Sequence, residues 1–232
     1  MLIIADARMP QTALEKLAGY GTLLPFHAPG ITYESISGHP DIFFCKTPQG
    51  LLAAPNTPEV FLSLLKKQGI PIITGARPVS SKYPGSACYN AFANSRFLVH
   101  HPRITDTVLA EALSSLQTIP VAQGYARCNL MEAGGLYITS DRGIEKALKR
   151  KGLETFFADP APIILPGQKH GFIGGCMGAA TGRLFICGSL DFHPSGQALR
   201  KALKKRNTEI VELYHGPLWD GGSILICDEK PR

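Results

Sequence analysis

Five similar segments follow one another along the 232-residue chain. Each carries an apolar strand, a turn, an amphipathic helix and a second apolar strand. The first strands begin at nearly equal intervals, at Leu2, Leu51, Phe97, Leu136 and Leu184. Repetition at a fixed period is the signature of folds assembled from copies of one unit. The pattern therefore predicts an α/β fold of five related units.

The helices of these units show one apolar face each. Apolar residues recur three or four positions apart, which predicts a buried stripe along each helix. Capping residues or an early proline mark the helix starts at Pro10, Asn56-Thr57-Pro58, Thr105, Ser140-Asp141 and His193-Pro194. We expect these residues to face inward: Leu14, Leu17, Phe61, Leu64, Leu65, Leu109, Leu113, Leu116, Ile144, Leu148, Leu199 and Leu203.

A further, less regular strand is expected before the first strand of units two to five, in DIFFC, CYNAF, CNLME and GFIGGCM. Unit one has no such segment before it, but the chain ends in GGSILIC, at 221–227, a strand without a helix. Pairing of that strand with the N-terminal strand would close a pseudo-fivefold ββαβ propeller and leave no free sheet edge. An open α/β sandwich is the alternative, and it predicts one prominent glycine-rich turn rather than five equal units.

The domain prediction follows from this closure. We expect a single domain with five units at 1–37 plus 216–232, 38–78, 79–123, 124–166 and 167–215. Apolar residues make up 44% of the chain and charged residues 18%, which favours a sizeable core over disorder.

The chain shows no sign of a membrane or export segment. No apolar run approaches the roughly 20 residues of a membrane helix, and the N-terminus reads as a strand rather than a basic leader. A cytoplasmic location is expected. The six cysteines are scattered singly, so reduced and mostly buried thiols are expected rather than disulfides.

Two helices carry much of the net charge of +6. These cations lie near Lys149 and in LRKALKKR from Leu199, on predicted outward faces. A solvated surface is the ordinary interpretation, and nucleic acid is an unlikely partner because no aromatic residues interleave with the cations. Ribosome or RNA binding stays an alternative that predicts steep salt dependence, lost on charge reversal at Lys201, Lys204 and Lys205.

A five-unit ββαβ ring closed by its termini resembles the pentein fold of the guanidino-group-modifying superfamily. The best local match is HGFIGGCMGAATGRLFICG, from His170, which resembles the segment holding the catalytic histidine of dimethylarginine hydrolases. A second match is CNLMEAGGLYITSDRGIEKAL, from Cys128, which resembles the preceding unit there. The superfamily includes deiminases, amidinotransferases and a non-catalytic ribosome anti-association factor, and this chain resembles an uncharacterised bacterial branch.

The resemblance implies a cysteine nucleophile, a histidine that moves protons and carboxylates that hold a cationic substrate. His170 matches the histidine. Matching the glycines of the closing strand places Ile226 at the nucleophile, with Cys227 one residue on and therefore on the opposite face of a regular strand. Cys227 and Cys176 are the candidate nucleophiles, although Cys176 would lie about 20 Å from His170 if one strand held both.

The acidic positions are only partly kept. Asp41 is kept in unit two, but Phe43, Phe44 and Cys45 stand where the resemblance implies carboxylates that hold the substrate. Asn129 and Asn90 occupy places where acids are expected, and an asparagine hydrogen-bonds without neutralising a cation. We expect Asn90, Asn129, Asp220 and Asp41 to bind a ligand.

Three functional hypotheses follow. The favoured one is a small polar molecule bound in the central cavity by Asn90, Asn129, His170 and Asp220, without covalent cysteine chemistry. The second is a divergent hydrolase, deiminase or amidinotransferase acting on a guanidino or amidine compound through Cys227 or Cys176. The third is the RNA, ribosome or protein interaction module described above. No cofactor is predicted, and no metal site, because His39, His100 and His101 lack cysteine or carboxylate partners at metal spacing.

Overall fold

Within residues 1–180 and 182–227, which the computed structural model describes, the strands form five three-stranded sheets. We call these sheets blades 1 to 5, with strand orders β15-β1-β2, β3-β4-β5, β6-β7-β8, β9-β10-β11 and β12-β13-β14. The strands are β1 Leu2–Asp6, β2 Thr22–Phe26, β3 Phe44–Thr47, β4 Gly50–Ala53, β5 Ile72–Thr74, β6 Phe92–Ala93, β7 Phe97–His100, β8 Gln117–Pro120, β9 Leu130–Ala133, β10 Leu136–Thr139, β11 Thr155–Phe157, β12 Met177–Ala180, β13 Arg183–Ile186, β14 Glu209–Glu212 and β15 Leu225–Cys227.

Every blade has the same pairing. Its middle strand runs antiparallel to one neighbour and parallel to the other. A helix connects each parallel pair, because parallel neighbours need a crossover. The connecting helices are α1 Gln11–Ala18, α3 Glu59–Lys67, α4 Thr107–Ala112, α6 Arg142–Arg150 and α7 Gly196–Lys204. The ββαβ propeller predicted from the repeat is confirmed.

Blade 1 closes the ring. β15 pairs antiparallel with β1, so that Leu2 lies opposite Cys227 and Ile4 lies opposite Leu225. The closure by the two chain ends is therefore confirmed. The first predicted unit, 1–37 plus 216–232, extends to 232, and its residues 228–232 lie outside the described part of the chain.

The helices pack their apolar faces on the sheets. Leu17, Leu65, Leu109, Ile144 and Leu203 are all fully buried, at 0% exposure. Two expectations were wrong. Leu64 is 39% exposed, because Leu65 occupies the inward position of α3. Asp106 rather than Thr105 caps α4, since its carboxylate accepts hydrogen bonds from the amides of Val108 and Leu109.

The predicted outer strands begin later than expected. Residues Pro40–Phe43 form the short helix α2, Ala126–Asn129 form α5, and Gly174–Cys176 form a 3-10 turn. Each turn is followed directly by a strand, at Phe44, Leu130 and Met177. Expectations based on strand alternation therefore fail in these segments, because side chains of a helical turn do not alternate between two faces.

His100 joins the blades through buried hydrogen bonds. Its Nε2 donates to the carbonyls of Ala87 and Gly124, at 3.1 and 2.9 Å, and its Nδ1 lies 2.8 Å from the Thr105 hydroxyl. The side chain is 1% exposed, and burial lowers its pKa from the ordinary 6.5 to about 4. A neutral His100 is thus a structural crosslink rather than a ligand-binding group.

The depressed pKa of His100 predicts a pH-dependent stability. Because the folded pKa lies below the unfolded value, its contribution is complete above pH 6.5 and is lost as pH falls through about 4. We expect the free energy of unfolding of the wild type to fall by about 3 kcal/mol more, between pH 7 and pH 4, than that of His100→Gln, which keeps an amide donor and does not titrate. Urea unfolding between pH 4 and 8 measures this, and identical pH profiles would contradict it.

None of the helices in residues 1–180 and 182–227 is long and apolar enough to cross a membrane.

Candidate functional site

The five blades converge on one cluster of polar groups. Asp41 comes from α2, Asn90 precedes β6, Cys128 lies in α5, Gly174 begins the 3-10 turn before β12, and Ser223 precedes β15. Each blade therefore contributes one residue, and the cluster marks the centre of the ring. The short turns ahead of the strands, rather than the strands themselves, carry these groups.

Hydrogen bonds connect the members of this central cluster. The Asp41 carboxylate accepts from Ser223 Oγ at 2.6 Å and from Cys128 Sγ at 3.1 Å, both through Oδ2. Asn90 Nδ2 donates to Cys128 Sγ and to the Asp41 carbonyl, each at 3.2 Å, while Asn90 Oδ1 accepts from the Cys128 amide. All four side chains are at most 3% exposed.

His39 lies beside this cluster and is 1% exposed. Within the described residues, neither of its ring nitrogens has a hydrogen-bond partner, and Oδ1 of Asp41 also lacks one. His39 Nε2 is 3.9 Å from Asp220 Oδ1. Burial lowers the pKa of His39 to about 4, so the ring is neutral at pH 7. Unsatisfied buried polar groups are costly and call for a functional explanation.

Asp220 is fully buried at the start of the closing segment. Its two oxygens accept from the backbone amides of Gly222, at 2.9 Å, and Phe172, at 2.8 Å. Burial raises the pKa of Asp220 to about 7 and that of Asp41 to about 6. Burial, with Asp41 next in effect, also raises the pKa of Cys128 well above its usual range, so Cys128 is a thiol at neutral pH.

A cavity of about 200 Å³ leads to this cluster, and we call it the axial cavity. Its lining residues are Tyr33, Ile36, His39, Tyr125, Cys128, Leu165, Gln168, His170, Phe172 and Asp220. The buried end holds His39, Cys128 and Asp220, whereas Gln168 and His170 stand at its more exposed end. Among the described residues, no Lys or Arg lines it.

A wider cavity of about 660 Å³ adjoins the axial cavity. The two share Tyr33 and Gln168, and Gln168 Nε2 donates to Ser35 Oγ at 2.8 Å in the wider one. A molecule bound at the axial cavity could therefore extend into the wider one.

The structure brings some of the predicted site residues together. His170 and Asp220 line the axial cavity, and Asp41 and Asn90 lie in the central cluster beneath it. The other predicted residues lie elsewhere. Asn129 is engaged with the Tyr125 carbonyl and the Ser140 hydroxyl, at 3.0 and 2.9 Å.

The two predicted nucleophiles do not line the axial cavity. Cys176 is fully buried and donates to the Phe172 carbonyl at 3.3 Å. Cys227 lies on β15 opposite Leu2, inside an apolar cluster that includes Leu225. Ile226, the position reached by matching glycines, lines a different cavity. Ser223, the residue directly after Gly221 and Gly222, is the one whose side chain reaches the central cluster.

Sequence reasoning missed His39, Cys128 and Ser223. The available signal was the pairing of functional residue types within the turns: His39 lies two positions from Asp41, and Cys128 lies next to Asn129. Cys128 and Asp41 are 87 positions apart, so no local spacing could reveal their contact.

Comparison with known proteins finds solved structures with a similar fold. Among solved structures, an amidinotransferase of the saxitoxin biosynthetic pathway from Microseira wollei superposes with a TM-score of 0.55 at 12% identity, over 91% of this chain and 87% of that one. Agmatine deiminase from C. jejuni gives 0.55 at 11% identity, over 91% and 75%. A dimethylarginine dimethylaminohydrolase (DDAH) mutant from Pseudomonas aeruginosa, complexed with citrulline, gives 0.53 at 9% identity, over 91% of both chains.

These similarities show that the chain has the pentein fold, as the repeat and its resemblance predicted. No curated protein matches the sequence significantly. The model of a family of unknown function (DUF6873) matches residues 4–225, so the chain belongs to that family.

Proposed function

We propose that this DUF6873 protein binds a small molecule through a positively charged guanidinium or amidinium group in the axial cavity, without covalent cysteine chemistry. The observation that carries the proposal is the buried carboxylate of Asp220 at the inner end of a cavity that no described Lys or Arg lines. Among the described residues no Lys or Arg forms an ion pair with Asp220, and a buried carboxylate in that position favours a ligand that supplies the charge.

The walls of the cavity suit a planar cation. Tyr33, Tyr125 and Phe172 line it, and guanidinium groups are attracted to aromatic faces. Asp41, which lies behind Cys128 in the central cluster, already has the guanidinium of Arg127 acting to lower its pKa, so the charge of the ligand is needed at Asp220. Solved structures of the same fold include an agmatine deiminase and an amidinotransferase, whose names refer to compounds of this chemical class.

The state of Cys128 supports non-covalent binding. Reactive cysteines are found as thiolates in electropositive surroundings. Cys128 instead keeps its proton and donates a hydrogen bond to Asp41, and both Asp41 and Asp220 raise its pKa further. The ligand-free site thus holds this thiol in its unreactive form.

The test compares a charged ligand with its neutral isostere. We expect calorimetry to show binding of arginine or agmatine, and citrulline, with a neutral ureido group in place of guanidinium, to bind at least tenfold more weakly, because a charge-assisted hydrogen bond contributes about 1.5–3 kcal/mol. Asp220→Asn should weaken binding of the charged probe by about 10- to 100-fold.

The matched control is Asp191→Asn. Asp191 is an exposed carboxylate paired with Arg200 at 3.1 Å, and its replacement should leave affinity unchanged. Equal affinity for the charged and neutral probes, or an Asp220→Asn variant that binds like wild type, would overturn the proposal.

A divergent cysteine hydrolase is the second candidate, because Cys128 lines the axial cavity and lies within 4.8 Å of a ring nitrogen of His39. This candidate predicts slow release of ammonia or an amine from agmatine and a covalent adduct on Cys128 detectable by mass spectrometry. Cys128→Ser should abolish both, and Cys176→Ser should not. Turnover that survives in Cys128→Ser would exclude this candidate.

A further inference from the structure

Three buried side chains beside the axial cavity form a compact set of metal donors. A ring nitrogen of His39, a carboxylate oxygen of Asp41 and Sγ of Cys128 all lie within 4.8 Å of one another. Around a tetrahedral zinc ion such donors are about 3.5 Å apart, since metal–ligand distances are about 2.0–2.3 Å. Small side-chain rotations would therefore bring the three donors onto one ion.

Two of the three side chains, His39 and Asp41, also lack hydrogen-bond partners where a metal would bind. Among the described residues, both nitrogens of His39 and Oδ1 of Asp41 are buried without partners. A buried donor or acceptor left unsatisfied destabilises the folded protein. A metal ion that accepts a lone pair from one ring nitrogen of His39 and from Asp41 would give both side chains a partner, and the neutral imidazole of His39 is the form that binds metals.

From this geometry we propose that His39, Asp41 and Cys128 form a binding site for a divalent transition-metal ion of the zinc type. The mixed nitrogen, oxygen and sulfur donors favour such an ion over Mg²⁺ or Ca²⁺, which bind oxygen ligands. On binding, Cys128 forms a sulfur–metal bond and its proton leaves to solvent. The thiolate and carboxylate together then balance the charge of the dication.

The neighbouring residues are placed to support each ligand. Asn90 donates to Cys128 Sγ at 3.2 Å, and Ser223 donates to the Asp41 carboxylate at 2.6 Å. Asp220 Oδ1 lies 3.9 Å from His39 Nε2, close to an acceptor position for an imidazole N–H. Such outer contacts orient metal ligands and tune their basicity.

The site also has an open side. His39 and Cys128 line the axial cavity, so an ion held by the three residues would face it. Three protein ligands with a free fourth position are the arrangement found in catalytic zinc sites. Such an ion would be held whether or not the organic ligand proposed above binds.

The experiment measures metal binding to the purified full chain after chelator treatment, with no organic ligand present. We expect one Zn²⁺ per chain by native mass spectrometry and calorimetry, and a sulfur-to-cobalt charge-transfer band in the near ultraviolet when Co²⁺ replaces it. Cys128→Ser and His39→Asn should each weaken Zn²⁺ binding by at least about 100-fold, and Asn90→Ala by about tenfold.

Cys45→Ser is the matched control, because Cys45 is equally buried but its sulfur is hydrogen-bonded to the Ala91 carbonyl. Its Zn²⁺ affinity should equal that of wild type.

The cobalt spectrum of the wild-type chain tests for a thiolate ligand even if a variant fails to fold. Cobalt bound without a thiolate band, or no stoichiometric binding, would overturn the inference. Zinc binding without arginine binding would remove only the proposed function, and the reverse result would remove only the metal site.

Discussion

Arg8→Met is expected to lower the free energy of unfolding by about 3 kcal/mol, because it leaves a fully buried carboxylate without its cation. Nε and Nη2 of Arg8 donate to the two oxygens of Asp6, at 3.0 and 2.6 Å. The same guanidinium donates to the carbonyls of Glu34 and Ser35, at 2.6 and 3.2 Å. The figure lies at the low end of the range for buried pairs because the Arg8 side chain is 27% exposed.

Two variants test the cause of that loss. Asp6→Asn combined with Arg8→Met should be less destabilised than Arg8→Met alone, since no buried charge then stays unpaired. Arg183→Met removes an ion pair of similar length, 2.8 Å to Glu209, from the surface, and we expect a much smaller change. Urea unfolding at pH 7 measures all three. A double variant that is no more stable than Arg8→Met alone would contradict the electrostatic explanation.

Gly222→Ala is expected to lower the free energy of unfolding by about 3–5 kcal/mol or to prevent folding. Gly222 has φ of +64°, which an alanine adopts at a cost of about 1–2 kcal/mol. An added Cβ would also overlap with Cβ of His39, which is attached to the backbone and cannot turn aside. Gly222 lies between Asp220 and Ser223, so this close approach of the closing segment to His39 holds the candidate site together.

Gly30→Ala is the matched control. Gly30 has φ of +81°, and an added Cβ there would meet nothing within 4 Å. Its substitution should therefore cost only the strain of the left-handed conformation, about 1–2 kcal/mol. Denaturant unfolding followed by circular dichroism compares the two. If both variants lose the same stability, the proposed overlap with His39 is wrong.

Most of the fold was predictable from the sequence because its signals are local. LIIAD, FLVH and LYIT are strands with the predicted limits, and Leu14, Leu17, Leu199 and Leu203 are buried as expected. The closure was predictable because unit one lacked a partner for its strand. The errors lie in the turns. Pro40–Phe43 is helical, although Phe and Ile suggested a strand, because contacts with the closing segment outweigh local propensity.

The candidate site was predictable only in part. Asp41, Asn90, His170 and Asp220 were named on resemblance and residue type, and all four lie in or next to the axial cavity. Cys128 was not predicted as a site residue because the resemblance pointed to Cys176 and Cys227, the cysteines near the glycine-rich strands. Its position at the ring centre depends on a hydrogen bond that the Cys128 backbone amide donates to Oδ1 of Asn90. The two residues are 38 positions apart in sequence.

The sequence by itself determined the five-unit repeat, the order of strands and helices, and the return of the C-terminal strand to the N-terminal one. Periodicity and capping act within a few residues, so they can be read without a partner. Only the tertiary structure decided which side chains meet. The turns that carry Asp41, Asn90, Cys128 and Ser223 have no periodic signal, and their contacts exist because ring closure brings five blades to one point. The unpartnered ring of His39 becomes visible only once all its neighbours are known.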